Sequence, residues 1–179
     1  MINITYFVHG TTKDNEKEIS SGCKDIELSE KGIIQSKELP TQIKNKKFDV
    51  VFCSDLKRAV DSAEISFKGS LIKKDKRLRE CDYGYYNGKP SEIVEPMQKE
   101  CIKKKFPNGE SYEDVKVRIA DFLEFLKKNY NGKRIAIVAH KAPQTALEVL
   151  LNKKTWQQAI REDWRNTGKW QPGWDYEVK

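Results

Sequence analysis

The chain has 179 residues, a formal net charge of +7, 34% charged residues and a mean hydropathy of −0.77. That length predicts a single domain, 1–179, with one core, and no apolar run is long enough for a membrane-spanning helix. Met1-Ile2-Asn3-Ile4-Thr5 lacks the basic stretch and apolar core of a signal peptide, so a cytoplasmic protein is expected.

Ile2–Val8 is an apolar run that reads as a first strand, followed by a loop over Gly10–Asp25. Ser29 can cap a helix starting near Glu30 with Ile33, Leu39 and Ile43 inward, and Pro40 should kink or split it. Phe48–Cys53 is a buried strand, and Ser54 or Asp55 then caps a helix through about Ser66. Leu71–Ile72 is a short strand candidate. Residues 77–109, rich in tyrosine, glycine and proline, read as an irregular excursion with one helix near Ser91–Lys104. Ser111 and Asp114 form a capping-box pattern for a helix whose Val115, Ile119, Phe122 and Leu126 share a face. Ile135–Ala139 is a further buried strand, Ala142–Leu151 is helical, and Thr155 can cap another short helix. The alternation predicts an α/β fold, a three-layer sandwich with a mostly parallel central sheet and helices on both faces.

The last 24 residues hold all four tryptophans, Trp156, Trp164, Trp170 and Trp174. They are expected to pack the tail, 153–179, onto the motif-bearing body, 1–152, since aromatics bury large areas. A lid or an oligomer contact is the alternative. Cys23, Cys53, Cys81 and Cys101 form no C-x-x-C pair and, with two histidines, no zinc-ligand pattern, so reduced thiols are expected. The positive charge is mostly lysine scattered through helices, which reads as a solvated surface. It can favour an anionic substrate, while nucleic acid and membrane are not expected partners.

The two histidines each follow a strand candidate, His9 after Ile2–Val8 and His140 after Ile135–Ala139. Ligands bind at the carboxyl ends of strands in open α/β sheets, so the pair reads as a nucleophile and an electrostatic partner on one substrate. Around them lie Tyr6-Phe7-Val8-His9-Gly10-Thr11-Thr12 with Asn15, then Phe52-Cys53-Ser54-Asp55-Leu56-Lys57-Arg58-Ala59. Leu78-Arg79-Glu80-Cys81-Asp82-Tyr83-Gly84, Pro107-Asn108-Gly109-Glu110-Ser111 and Ile137-Val138-Ala139-His140 follow.

In this order the motifs resemble the histidine phosphatase superfamily, which includes the cofactor-dependent phosphoglycerate mutases, from Ile2 to about Leu151. The resemblance implies a phosphoglycerate mutase-like fold with His9 as phosphoryl acceptor, Arg58 gripping phosphate oxygens, Glu80 as general acid and His140 stabilising the transferred group. Gly10, Asn15, Thr12 and Lys141, the last through its backbone N–H, are further candidate phosphate contacts. A neutral imidazole is a usable nucleophile near neutrality, and the Gly10 carbonyl can hold its other ring nitrogen. Gly10 also permits a tight turn. A carboxyl that protonates a leaving oxygen must itself carry a proton, and partial desolvation beside Cys81 and the tyrosines would act that way.

One position departs from the pattern: Val8 stands where the family has arginine. Lys13 or Lys141 could supply the charge, as a point charge without arginine's fork. The expected activity is a phosphomonoesterase acting on a small phosphorylated metabolite through a phosphohistidine, with no cofactor and no metal. Phosphoglycerate mutase-type transfer, or a catalytically impaired phospho-ligand-binding module, are the alternatives. Phosphate or sulfate should occupy the site, and the chain should be a monomer or homodimer.

Overall fold

The computed structural model describes residues 1–44 and 46–178. Along the chain run β1 (Ile2–Val8), β2 (Ile19–Ser20), α1 (Glu30–Gln42), β3 (Val50–Cys53), α2 (Lys57–Ser66), β4 (Ile72–Lys74), β5 (Lys89–Pro90), α3 (Ser91–Glu100), α4 (Tyr112–Asn129), β6 (Arg134–Ala139), α5 (Lys141–Leu150), α6 (Trp156–Arg161), α7 (Trp164–Thr167) and β7 (Trp174–Val178). The main sheet has the order β4-β3-β6-β1-β7. β1, β3, β4 and β6 are mutually parallel where they pair, and β7 is antiparallel to β1.

The two-residue period of the strands divides the core. Ile4, Tyr6, Val50, Phe52, Ile135 and Ile137 join one cluster with Val115, Ile119, Phe122 and Leu126 of α4. Phe7, Val51, Cys53, Ala136 and Val138 join a second with Val60 and Ala63 of α2. α1 packs beside α2, and α4 beside α5. The sheet therefore lies between two helical layers. Burying a side chain such as Phe122 or Ile137, both fully covered, contributes about 1.5–3 kcal/mol.

Local departures from the sequence reading have physical causes. α1 runs through Pro40 unbroken. Proline removes the N–H that would bond the Ser36 carbonyl four residues back, and the Ser66 hydroxyl of α2 donates to that carbonyl at 2.8 Å. The fully buried face of α1 is Gly32 and Ser36, while Ile33, Leu39 and Ile43 are only half-buried. The reason is a close backbone approach: a Cβ on Gly32 would lie 2.0 Å from the Thr11 carbonyl oxygen, and one on Gly10 would lie 2.5 Å from the Gly32 oxygen. Gly10 is thus required for contact with α1 rather than for a left-handed turn.

Neither Ser54 nor Asp55 caps α2. Leu56 holds the cap position, and Asp25 from the preceding loop accepts the Lys57 N–H at 2.9 Å. Asp55 instead forks onto Arg79, at 2.7 Å to each of two nitrogens. The helix at Ser91 stops at Glu100, because the carbonyls of Cys101 and Ile102 turn to accept the Tyr112 and Glu113 N–H groups that open α4. The capping boxes at Ser111 and Thr155 are both formed.

The tail contributes an edge strand to the main sheet, with Trp174 opposite Tyr6 and Val178 opposite Ile2. Cys23, Cys53, Cys81 and Cys101 are unpaired. Among the described residues, no helix is long and apolar enough to cross a membrane.

Candidate active site

β1 and β6 are central neighbours in parallel register, with Val8 opposite Ala139. The next residue on each strand is a histidine, and the His9 N–H donates to the Ala139 carbonyl at 3.1 Å. The imidazole centroids lie 5.0 Å apart, with the rings inclined at 61°.

The tautomer of His9 follows from its partners. Nδ1 lies 2.7 Å from the Gly10 carbonyl oxygen, which can only accept, so Nδ1 carries the proton. Nε2 keeps its lone pair and accepts from Arg58 Nε at 3.3 Å. Burial, then the Arg58 charge, hold the His9 pKa down at about 3, against the pull of the Gly10 hydrogen bond. The imidazole is consequently neutral at physiological pH.

Arg58 stands near the start of α2, almost fully buried. Nη1 donates to the Lys24 carbonyl at 2.8 Å and Nη2 to the Gly22 carbonyl at 2.7 Å. These carbonyls fix the guanidinium plane and aim Nε at His9. Ser62, one turn further along, accepts the Gly10 N–H at 3.0 Å and donates to the Arg58 carbonyl at 2.7 Å. It links the His9 loop to the helix that carries Arg58.

Glu80 is 8% exposed. Its Oε1 accepts from the Cys81 N–H at 2.8 Å and the Ala142 N–H at 3.0 Å, and its Oε2 from the Lys141 N–H at 3.1 Å. It thereby caps the first turn of α5, whose own N-cap residue, His140, supplies no side-chain cap. All three are backbone N–H groups donating to the Glu80 side-chain oxygens. The Lys141 N–H is therefore engaged by Glu80 rather than open to phosphate.

His140 is fully buried, and both ring nitrogens lack a hydrogen-bond partner among the described residues. Burial foremost, then the charge of Arg58, hold its pKa well below the usual imidazole range. Its backbone is fixed by Tyr6, whose hydroxyl accepts from the His140 N–H at 2.9 Å and donates to the His140 carbonyl at 2.6 Å.

These groups border a cleft of about 620 Å³, lined by His9, Gly10, Asn15, Arg58, Glu80 and Lys141 among others. His140 lies behind His9 and is not one of the lining residues. Thr12 is fully buried and also off the wall. Its N–H donates to Asn15 Oδ1 and its Oγ1 accepts the Asn15 N–H, both at 3.0 Å, so it shapes the Asn15 turn rather than reaching the cleft. Neither lysine proposed to offset Val8 is a free cation. Lys13 is exposed and paired with Glu27, and Lys141 Nζ is paired with Glu95 at 2.8 Å.

Two groups at the site had no signal in the sequence. Ser62 is one small polar residue among several in a helix. Arg165, which also lines the cleft, belongs to the tail beyond the recognised motifs.

A model of the histidine phosphatase superfamily (branch 1) matches residues 6–171. The chain belongs to this superfamily. The match passes Leu151 and takes in much of the tail. Phosphoserine phosphatase 1 of Hydrogenobacter thermophilus is 30% identical over 157 residues, covering 82% of this chain and 74% of that protein. Fructose-2,6-bisphosphatase TIGAR of Mus musculus is 34% identical over 141 residues, but the aligned part is 73% of this chain and only 52% of that protein. A mycobacterial glucosyl-3-phosphoglycerate phosphatase, solved with VO3, superposes with a TM-score of 0.80 at 24% identity, covering 88% of this chain and 85% of the other. That likeness bears on the fold, which is the phosphoglycerate mutase-like α/β fold. The superfamily relatives support phosphatase activity in general terms.

Proposed function

We propose that this histidine phosphatase superfamily member hydrolyses a small phosphomonoester, with His9 Nε2 as the phosphoryl acceptor. The observation that carries this reading is the fixed tautomer of His9: Nδ1–H on the Gly10 carbonyl, and an Nε2 lone pair beside the Arg58 guanidinium in an open cleft.

The Nε2 lone pair attacks phosphorus, and the bond from phosphorus to the ester oxygen breaks. Glu80 delivers a proton to that oxygen. Among the described residues Oε2 accepts only the Lys141 N–H and has a second lone pair on which the proton can sit. Arg58, which lines the cleft, is the group available to the phosphoryl oxygens in transfer, which depends on positioning and charge stabilisation. His140, off the cleft wall with its ring centroid 5.0 Å from that of His9, is assigned to the transferred group by the superfamily resemblance. Water then attacks phosphorus, Glu80 takes its proton, the N–P bond breaks, and His9 returns neutral. The residues named carry every step, and the reading assigns no role to a metal.

The test compares wild type with His9→Ala on p-nitrophenyl phosphate and a panel of phosphoesters without added metal, measuring phosphate release. Turnover that disappears in His9→Ala, with an acid-labile phosphoenzyme trapped in wild type, supports the proposal. Absence of turnover on every ester, or turnover unaffected in His9→Ala, overturns it. Including 3-phosphoglycerate separates phosphate release from isomerisation, the outcome a mutase would give.

A further inference from the structure

A phosphomonoester dianion entering this cleft meets few uncommitted positive charges. Two of the three Arg58 nitrogens are held by backbone carbonyls. Lys141 is neutralised by Glu95. Glu80 adds a negative charge at the same wall, and Val8 contributes none. Lys31 reaches the cleft only as an exposed side chain of α1. The other cation on the cleft wall is Arg165 of the tail, whose ion pair with Asp163 occupies only Nη1.

We infer that Arg165 is a second guanidinium for the substrate's phosphoryl group, supplied from the C-terminal tail to the cleft that Val8 also lines. This deepens the phosphatase reading and rests on it.

The geometry around Arg165 is that of a built support. Its Nη1 lies 3.1 and 2.9 Å from the two carboxylate oxygens of Asp163, a side chain that is 5% exposed. Asp163 also accepts the Arg165 N–H at 2.8 Å, so one carboxylate fixes both ends of the residue. The guanidinium lies 4.6 Å from the centroid of the Trp164 ring, a stacking contact that suits arginine. Trp164 in turn stacks on Trp174 at 6.3 Å and 27°. Trp174 sits opposite Tyr6 in the sheet, three residues before His9. A continuous run of contacts thus ties Arg165 to the strand that presents the nucleophile. Nε and Nη2 make no protein hydrogen bond among the described residues, while the residue lines the His9 cleft. Its charge is also felt at His9, His140 and Tyr6, where it is one of the secondary causes of their shifted proton affinities.

This assignment gives the tryptophans of the tail a purpose beyond packing. Trp164 and Trp174 are the platform that holds a cation over the site. An arginine anchored this way keeps two parallel N–H donors free, the geometry that matches phosphate oxygens.

The experiment uses the full chain with Arg165→Gln and Arg165→Lys. Two readouts are taken: kcat and KM on p-nitrophenyl phosphate, and the rise in Tm produced by inorganic phosphate. The second does not depend on turnover. Arg165→Gln is expected to lower kcat/KM by about ten- to hundredfold and to shrink the phosphate-induced rise in Tm. Arg165→Lys, which keeps the charge without the fork, should fall between. If Arg165→Gln matches wild type in both readouts, the inference is overturned while the phosphatase reading stands. If it lowers turnover and ligand-free Tm yet leaves protection by phosphate intact, the residue is only structural and the inference is also overturned. If wild type itself never turns over, the phosphatase reading falls, and the phosphate-induced shift still decides whether Arg165 binds the anion.

Discussion

The Tyr6 hydroxyl closes both backbone groups of His140, accepting its N–H at 2.9 Å and donating to its carbonyl at 2.6 Å. Tyr6 is itself fully buried in β1, three residues before His9. One side chain therefore fixes the position of each histidine relative to the other. This matters because the His140 ring has no hydrogen-bond partner of its own among the described residues, so its placement depends on its backbone.

Tyr6→Phe keeps the ring and removes only that hydroxyl. It leaves the buried His140 N–H unsatisfied and the His140 carbonyl with the longer Gln144 N–H contact of 3.4 Å, at about 1–3 kcal/mol for an unsatisfied group. The expected outcome is a loss of stability in that range in urea unfolding. A fall in kcat larger than any change in KM should accompany it, because the proposed mechanism has His140 act on the transferring group rather than on binding. Unchanged kcat would show that the His140 backbone holds its place without Tyr6.

The histidines also set a pH dependence of stability. In the unfolded chain an imidazole titrates near 6.5, whereas the His9 pKa in the fold is held at about 3 by burial and Arg58. Between those values the unfolded state binds more protons, so stability falls as pH is lowered from about 6.5 towards 3. Each such histidine contributes a slope of up to about 1.4 kcal/mol per pH unit. His9→Gln should lose less stability than wild type between pH 7.5 and pH 5, as read by chemical unfolding at the two values. Parallel losses in the two proteins would mean that His9 is not held neutral.

Much of this was legible in the sequence. The apolar runs Ile2–Val8 and Arg134–Ala139, with a histidine after each, read as two strands whose ends face one substrate, and the structure makes those strands central neighbours with the two imidazoles 5.0 Å apart. Helix caps with local donors, Ser29, Ser111 and Thr155, could be read because their partners lie three residues away. Long-range contacts could not. The α2 cap comes from Asp25, the α5 cap from Glu80 and the Pro40 compensation from Ser66. None of those partners is near its target in sequence. Likewise β7 and the Arg165 support depend on the tail returning to β1, and no periodicity in the tail announces that return.

The pairing of Pro40 with Ser66 can be tested by a double-mutant cycle. Ser66→Ala removes the donor to the Ser36 carbonyl and should destabilise the protein by about 0.5–1.5 kcal/mol. In a Pro40→Ala background the restored Ala N–H can bond that carbonyl within the helix. The same serine substitution should then have a smaller effect. Equal effects in the two backgrounds, measured by urea unfolding, would show that the hydroxyl does not substitute for the missing N–H.

Glu80 has two readings that kinetics can separate. As the cap of α5 it is structural, and as a proton donor it acts on the leaving oxygen. Glu80→Gln removes the acid and also disturbs the cap, since an amide presents a donor to one of the three N–H groups that now converge there. A lowered Tm is expected under either reading and decides nothing. The leaving group decides it. p-Nitrophenolate departs as a stabilised anion and needs little protonation, whereas an alkoxide from a sugar or serine phosphate needs a proton. General acid catalysis contributes typically 10²–10⁴-fold. Glu80→Gln should therefore reduce kcat/KM, which reports the step up to the phosphoenzyme, on an alkyl phosphate by about that much and reduce it far less on p-nitrophenyl phosphate. A uniform decrease in kcat/KM across both esters would remove Glu80 from protonation of the leaving oxygen, and the proton would have to come from another group in the cleft.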